Sequence, residues 1–158
     1  MSKELPITLE GSGLKIAIAV AKFNELISRK LLEGAEKTLL SLGLSPNDIL
    51  VAWAPGSFEL ATIAKQFAMS NKFDAVICLG TIIRGETPHF DYVAGGAASG
   101  ISSVGLETGV PVIFGVLTTE TTDQAMDRAG GRMGHKGREA ATAAVHMANL
   151  MRDLKDLG

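Results

Sequence analysis

From Arg84 to His89 the chain reads Arg-Gly-Glu-Thr-Pro-His, and these residue types at this spacing suit anion binding beside a proton-transfer group. Arg84-Gly85-Glu86 is a polar turn whose glycine is free to take positive φ. Thr87-Pro88 has the grammar of a helix start, with a hydroxyl at the N-cap and proline at the first helical position. His89 then falls in the first helical turn. Ahead of the turn runs Ala75-Val76-Ile77-Cys78-Leu79, a short apolar stretch with β-branched residues, bounded by Gly80 as a buried strand would be. A strand, a glycine turn and a capped helix present free backbone N–H groups and the positive end of a helix dipole to whatever lies above the sheet. A well-capped βα turn with a surface histidine would carry the same signature, so the other loops must decide.

The elements that position this stretch repeat along the chain. Leu14 to Ala21 is an apolar run of strand length. After Lys22-Phe23-Asn24 comes a helix with Leu31, Leu32, Ala35, Leu39 and Leu42 at helical spacing, stopped by Gly43. Asp48 to Ala54 is the second strand and Pro55-Gly56 its turn, with Ser57 as N-cap of a helix to about Asn71. The third unit is the stretch described first, its helix reaching Gly109. The fourth strand spans Pro111 to Leu117 and turns at Thr118-Thr119-Glu120, where Thr121 and Gln124 make a capping box for a short helix. A glycine-spaced loop to Gly137 precedes a last helix from Arg138 to about Leu157. Leu5 to Leu9 alternates weakly around Pro6, so residues 1–13 are an edge strand or an extended arm able to pair with another chain.

Four strands each followed by a helix imply a parallel sheet covered on both faces, since crossovers are right-handed. The expected fold is α/β, a flavodoxin-like three-layer sandwich with a four-stranded parallel sheet and an extra N-terminal edge strand, all in one domain over residues 1–158. Ligands of such sheets bind at the carboxyl ends of the strands. The loops there hold Phe23 and Asn24, then Gly56, Ser57, Phe58 and Glu59, then Thr81 to His89, then the segment after Phe114. An aromatic ring, a carboxylate, an amide, an anion-binding helix end and a histidine suit a polar heterocycle plus a phosphate.

Composition narrows the class. The chain has 158 residues, 46% of them hydrophobic, and a net charge of −2, which supports one real core and gives no electrostatic reason to expect nucleic acid. The N-terminal residues lack an apolar signal region and no apolar run could span a bilayer, so a soluble cytoplasmic protein is expected. Cys78 is the only cysteine and reads as a small core residue. The 3 histidines, His89, His135 and His146, show no metal-ligand spacing, so no metal is assigned and His146 is read as structural. Ser57 lacks the glycines of a nucleophile elbow. Gly131 to Gly137 lacks the Walker A spacing, and Ala21-Lys22-Phe23-Asn24-Glu25 is not the Ser/Thr/Gly-rich loop of a flavin carrier.

Lys22-Phe23-Asn24, Ala54 to Glu59, Leu79 to Tyr92, Phe114 to Thr119, Asp127 to Gly130, His135-Lys136-Gly137 and Met147 to Leu150, in this order and spacing, together resemble lumazine synthase. The resemblance implies condensation of 5-amino-6-ribitylamino-pyrimidinedione with 3,4-dihydroxy-2-butanone 4-phosphate to 6,7-dimethyl-8-ribityllumazine, with release of phosphate and water and without a cofactor. It sets Phe23 on the pyrimidine, Ser57 and Glu59 on the ribityl chain, and Ile82 and Ile83 at backbone contacts. It implies that Gly85, Glu86 and Thr87 offer backbone donors to the phosphate, with Arg128 as countercharge and the Glu86 side chain turned away. His89 would shuttle protons, and Phe114 and Lys136 would complete the pocket. It also implies a homo-oligomer built from pentamers with sites shared between neighbours, and riboflavin synthase as a further partner. The alanine-rich segments Ala94 to Ala98 and Ala140 to Ala148 suit close packing. One departure is Gly95-Gly96, where many members of that family carry an acidic residue. A lumazine- or flavin-binding carrier and a catalytically silent shell protein are the alternatives, and His89 and Arg128 argue against the second.

Overall fold

A computed structural model describes residues 1–158. The sheet strands are β1 (Ile16–Ala21), β2 (Ile49–Ala54), β3 (Ala75–Ile83) and β4 (Val112–Thr119), and the helices are α1 (Glu25–Ser41), α2 (Leu60–Met69), α3 (His89–Thr108), α4 (Thr122–Asp127) and α5 (Lys136–Lys155). The sheet is four-stranded in the order β2-β1-β3-β4 and parallel at each pairing. A separate antiparallel hairpin joins β5 (Ala129–Gly131) to β6 (Gly134–His135). No helix is long and apolar enough to cross a membrane.

Alternation along the strands builds two cores. Ile16, Ile18, Val20, Ile77 and Leu79 face one way, against Leu31, Ala35 and Leu39 of α1 and Ala141, Ala144 and Val145 of α5. Ala17, Ala19, Ala21, Val76 and Cys78 face the other way, against Leu60 and Ala64 of α2 and Ala97, Ile101 and Val104 of α3. Strands buried on both faces read as continuous apolar runs for this reason. The expected three-layer α/β sandwich is what forms. Ala140, Ala141, Ala144 and Ala148 are all buried in the first core, so these four alanines of α5 pack within the chain.

Local signals set most ends. The capping box of α4 is complete: Gln124 N–H donates to Thr121 Oγ1 at 3.1 Å, and Thr121 N–H to Gln124 Oε1 at 3.3 Å. Gly109 ends α3 at φ 74°, its N–H donating to the Gly105 carbonyl.

Other boundaries depart from the sequence reading. The third strand does not stop at Gly80 but continues to Ile83, because β4 runs alongside and keeps pairing, Gly80 with Val116 through to Ile83 with Thr119. Pro88, not Thr87, occupies the N-cap of α3, while Thr87 Oγ1 accepts from His89 N–H at 3.4 Å. Ser57 is not an N-cap. It opens a 3-10 turn (Ser57–Glu59) that leads into α2, and makes no capping bond. The last helix starts two residues early because His135 caps it. Leu5 to Leu9 forms no strand, so the expected N-terminal edge strand is absent from the sheet. Asn149 Nδ2 secures that arm by donating to the carbonyls of Thr8 and Glu10, both at 3.0 Å.

Candidate active site

A cavity of about 740 Å³ opens over the carboxyl ends of β1, β2 and β3. The strand order switches direction between β1 and β3, which is where doubly wound sheets leave a crevice. Three connections line the cavity. The turn after β1 contributes Phe23 and Asn24, the loop after β2 contributes Pro55 to Glu59, and the third contributes Thr81, Ile82, Ile83, Gly85, Thr87, His89, Phe90, Tyr92 and Val93.

The first connection is held in an unusual shape. Asn24 sits in the left-handed region at φ 61° and ψ 44°, which asparagine tolerates better than most residues, and its Nδ2 donates to the Thr81 carbonyl at 2.9 Å. Backbone bonds from Lys22 N–H to Ala54 O at 2.7 Å and from Phe23 N–H to Pro55 O at 3.1 Å pin the same turn to the end of β2. Phe23 thereby stands 71% exposed, a flat ring displayed at the mouth. Below it the buried hydroxyls of Ser28 and Thr81 meet at 3.1 Å, joining α1 to β3.

Ser57 is buried, with its Oγ in the space that a Cβ on Gly80 would fill. Glycine in the middle of β3 therefore marks a close approach, as it does in strand interiors generally. Glu59 and the Phe58 ring remain exposed. Beyond Leu79 the β1-facing edge of β3 has no strand beside it, because β1 pairs only as far as Val20 with Leu79. The backbone around Thr81 to Ile83 borders the cavity along that unpaired edge.

At the third connection, the amino end of α3 points its dipole at the opening. His89, Tyr92 and Val93 share one helix face by their spacing and all three line the cavity. Tyr92 and Val93 were missed in the sequence, although their offsets of three and four from His89 could have revealed them. Gly85 and Thr87 line the cavity, while Glu86 is exposed and outside it.

Three further expected residues do not join. Phe114 lies in the middle of β4, half-buried against the α2/α3 core. Arg128 is the C-cap of α4, its Nη1 donating to the Gln124 carbonyl at 3.0 Å, and Lys136 begins α5. None of them lines the cavity, which opens over β1, β2 and β3 and not over the edge strand β4.

The family model described as 6,7-dimethyl-8-ribityllumazine synthase matches residues 13–152, which includes every block that lines the cavity. The chain belongs to that family. Membership makes it an enzyme of riboflavin biosynthesis with lumazine synthase activity, and it accounts for the ordered likeness from Lys22 to Leu150. Only residues 1–12 and 153–158 fall outside the matched range.

Proposed function

We propose that the chain condenses 5-amino-6-ribitylamino-pyrimidinedione with 3,4-dihydroxy-2-butanone 4-phosphate, giving 6,7-dimethyl-8-ribityllumazine with loss of phosphate and water. The observation that carries this reading is one cavity that holds Phe23, Ser57, Glu59, the open edge of β3, Gly85, Thr87 and His89. Phe23 stacks on the pyrimidine. Ser57 and Glu59 take the ribityl hydroxyls, and the backbone near Ile82 and Ile83 meets the polar ring edge. The phosphate lies at the Gly85–Thr87 turn by the amino end of α3, where N–H groups and dipole favour an anion. Amine attack on the ketone, loss of water to the imine, elimination of phosphate and ring closure need only proton transfers at fixed positions, which His89 supplies without a cofactor.

Phe114, Arg128 and Lys136 reach the site from a neighbouring copy in a ring. Two features support this: those residues lie outside the chain's own cavity, and Phe23, Phe58 and Tyr92 stand exposed along the rim of that cavity. Arg128 then meets the phosphate as countercharge.

The test is turnover of the two substrates without added cofactor, followed by lumazine absorbance. His89→Ala should lower kcat by about 10²-fold or less, the bottom of the general acid–base range, because the spontaneous condensation is itself facile. A wild-type rate no higher than the spontaneous background would mark a carrier or a silent shell and end this reading.

A further inference from the structure

Arg84 stands immediately after β3 with its guanidinium engaged on several sides. Its Nε lies 2.8 Å from Glu120 Oε2, its Nη2 lies 3.4 Å from Asp91 Oδ1, and its Cζ sits 4.4 Å from the centroid of the Phe90 ring. Its backbone N–H donates to the Thr119 carbonyl at 2.9 Å. These partners come from two other places in the chain: Thr119 and Glu120 at the end of β4, and Phe90 and Asp91 in the first turn of α3. Between Arg84 and α3 lie only Gly85, Glu86, Thr87 and Pro88. The side chain therefore ties both ends of that turn to each other and to β4.

The turn has little else to hold it. All four residues are exposed, and a Cβ on Gly85 would meet nothing within 4 Å. Each ion pair taken alone is a partly solvated contact worth little. A planar guanidinium that stacks on a ring and reaches two carboxylates fixes orientation in a way that a lysine ammonium cannot. Arg84 is absent from the cavity lining, whereas Gly85, Thr87 and His89 are present. Its charge is thus spent within the chain, contrary to the expectation that the whole turn from Arg84 faces an anion.

We propose that Arg84 is a positioning residue, a clamp that holds the Gly85–Pro88 turn and the first turn of α3 in the pose needed to bind the phosphate and present His89. The kinetic part rests on the reaction proposed above; the clamp itself does not. It acts through Glu120 and Phe90, so removing a partner should imitate removing the arginine.

Full-length Arg84→Ala, Glu120→Gln and the double variant separate the possibilities, with the thermal transition checking that each remains folded. Arg84→Ala should lower kcat/KM for the butanone phosphate by roughly ten- to a hundredfold, the scale on which a misplacement of about 1 Å acts, and leave KM for the pyrimidine unchanged. Glu120→Gln should give a smaller loss of the same kind, and the double variant should be no worse than Arg84→Ala. Hydrogen exchange at the His89 and Asp91 amides, which donate to Thr87 Oγ1 and the Pro88 carbonyl, should quicken in all three. Unchanged exchange there would overturn the clamp, and so would a silent Glu120→Gln beside a damaged Arg84→Ala, which would signal direct contact with phosphate. If wild type fails to turn over, the reaction is wrong while the exchange measurement still decides the clamp.

Discussion

At the scale of single residues, His89 and His135 are used in opposite ways. His89 is exposed at the start of α3 and lines the cavity. His135 is partly buried and caps α5, its Nδ1 accepting from Gly137 N–H at 3.1 Å and Arg138 N–H at 3.3 Å. An imidazolium has no acceptor at that nitrogen. Burial depresses the His135 pKa below its ordinary value, with the Arg138 charge adding to the effect and the Lys30 backbone and the Glu139 charge opposing it. The sign follows: the unfolded chain takes up the proton more readily, so the contribution to stability is full above about pH 6.5 and is lost as pH falls through the folded value. Comparing thermal transitions at pH 7.5 and 5.5 should show a smaller acid loss in His135→Asn, which keeps an acceptor but cannot titrate. A lost cap costs roughly 1 kcal/mol, and an equal acid loss in both proteins would remove His135 as its source. The Cys78 thiol, pushed up to about 12 by burial, is the core residue that its strand context implied.

At the scale of elements, α3 explains half of the departure at Gly95-Gly96. A Cβ on Gly96 would lie 2.5 Å from Cε1 of Phe58, whereas one on Gly95 would meet nothing within 4 Å. The two glycines therefore cost the helix similarly in propensity but are not equivalent in space. Gly95→Ala should raise stability by roughly 0.5–1 kcal/mol through helix propensity. Gly96→Ala must displace the Phe58 ring, a cavity wall, and should weaken pyrimidine binding whatever it does to stability. Thermal unfolding together with KM for the pyrimidine checks both; equal behaviour of the two variants would show that the Phe58 contact does not matter. The structure offers no reason for the glycine at Gly95.

At the scale of the whole molecule, the cavity-lining residues and the trio of Phe114, Arg128 and Lys136 occupy different regions of one chain. A head-to-tail ring unites such regions at every interface. Leu5, Ile7 and Leu9 of the arm are exposed, leaving apolar side chains for a neighbour to cover. His89→Ala and Arg128→Ala chains, unfolded and reassembled in equal amounts, should regain roughly one quarter of wild-type activity, since random mixing pairs an intact His89 with an intact Arg128 at about one interface in four. If mass spectrometry confirms mixed rings and activity is only the mean of the two variants, each site lies within one chain.

What the sequence by itself determined here is what neighbouring residues settle among themselves. The apolar runs, the glycine stops after α1 and at Gly109, and the box joining Thr121 to Gln124 depend on contacts a few positions apart, so their residue types announce them. The order of four βα units likewise forces a parallel sheet and places its ligand crevice, which is why Phe23, Asn24, Gly56 to Glu59, Thr81 to Ile83, Gly85, Thr87 and His89 could be named in advance and do line one cavity. Tertiary structure alone decided the rest, because each remaining feature joins segments far apart in the chain. The extension of β3 to Ile83 needs β4 beside it, the bond from Asn24 to Thr81 spans 57 positions, and Arg84 meets Glu120 only where two strands end side by side. The separation of Phe114, Arg128 and Lys136 from the cavity has the same origin: the sheet's edge lies at β4, and a strand's place in a sheet comes from long-range pairing rather than from its own residues.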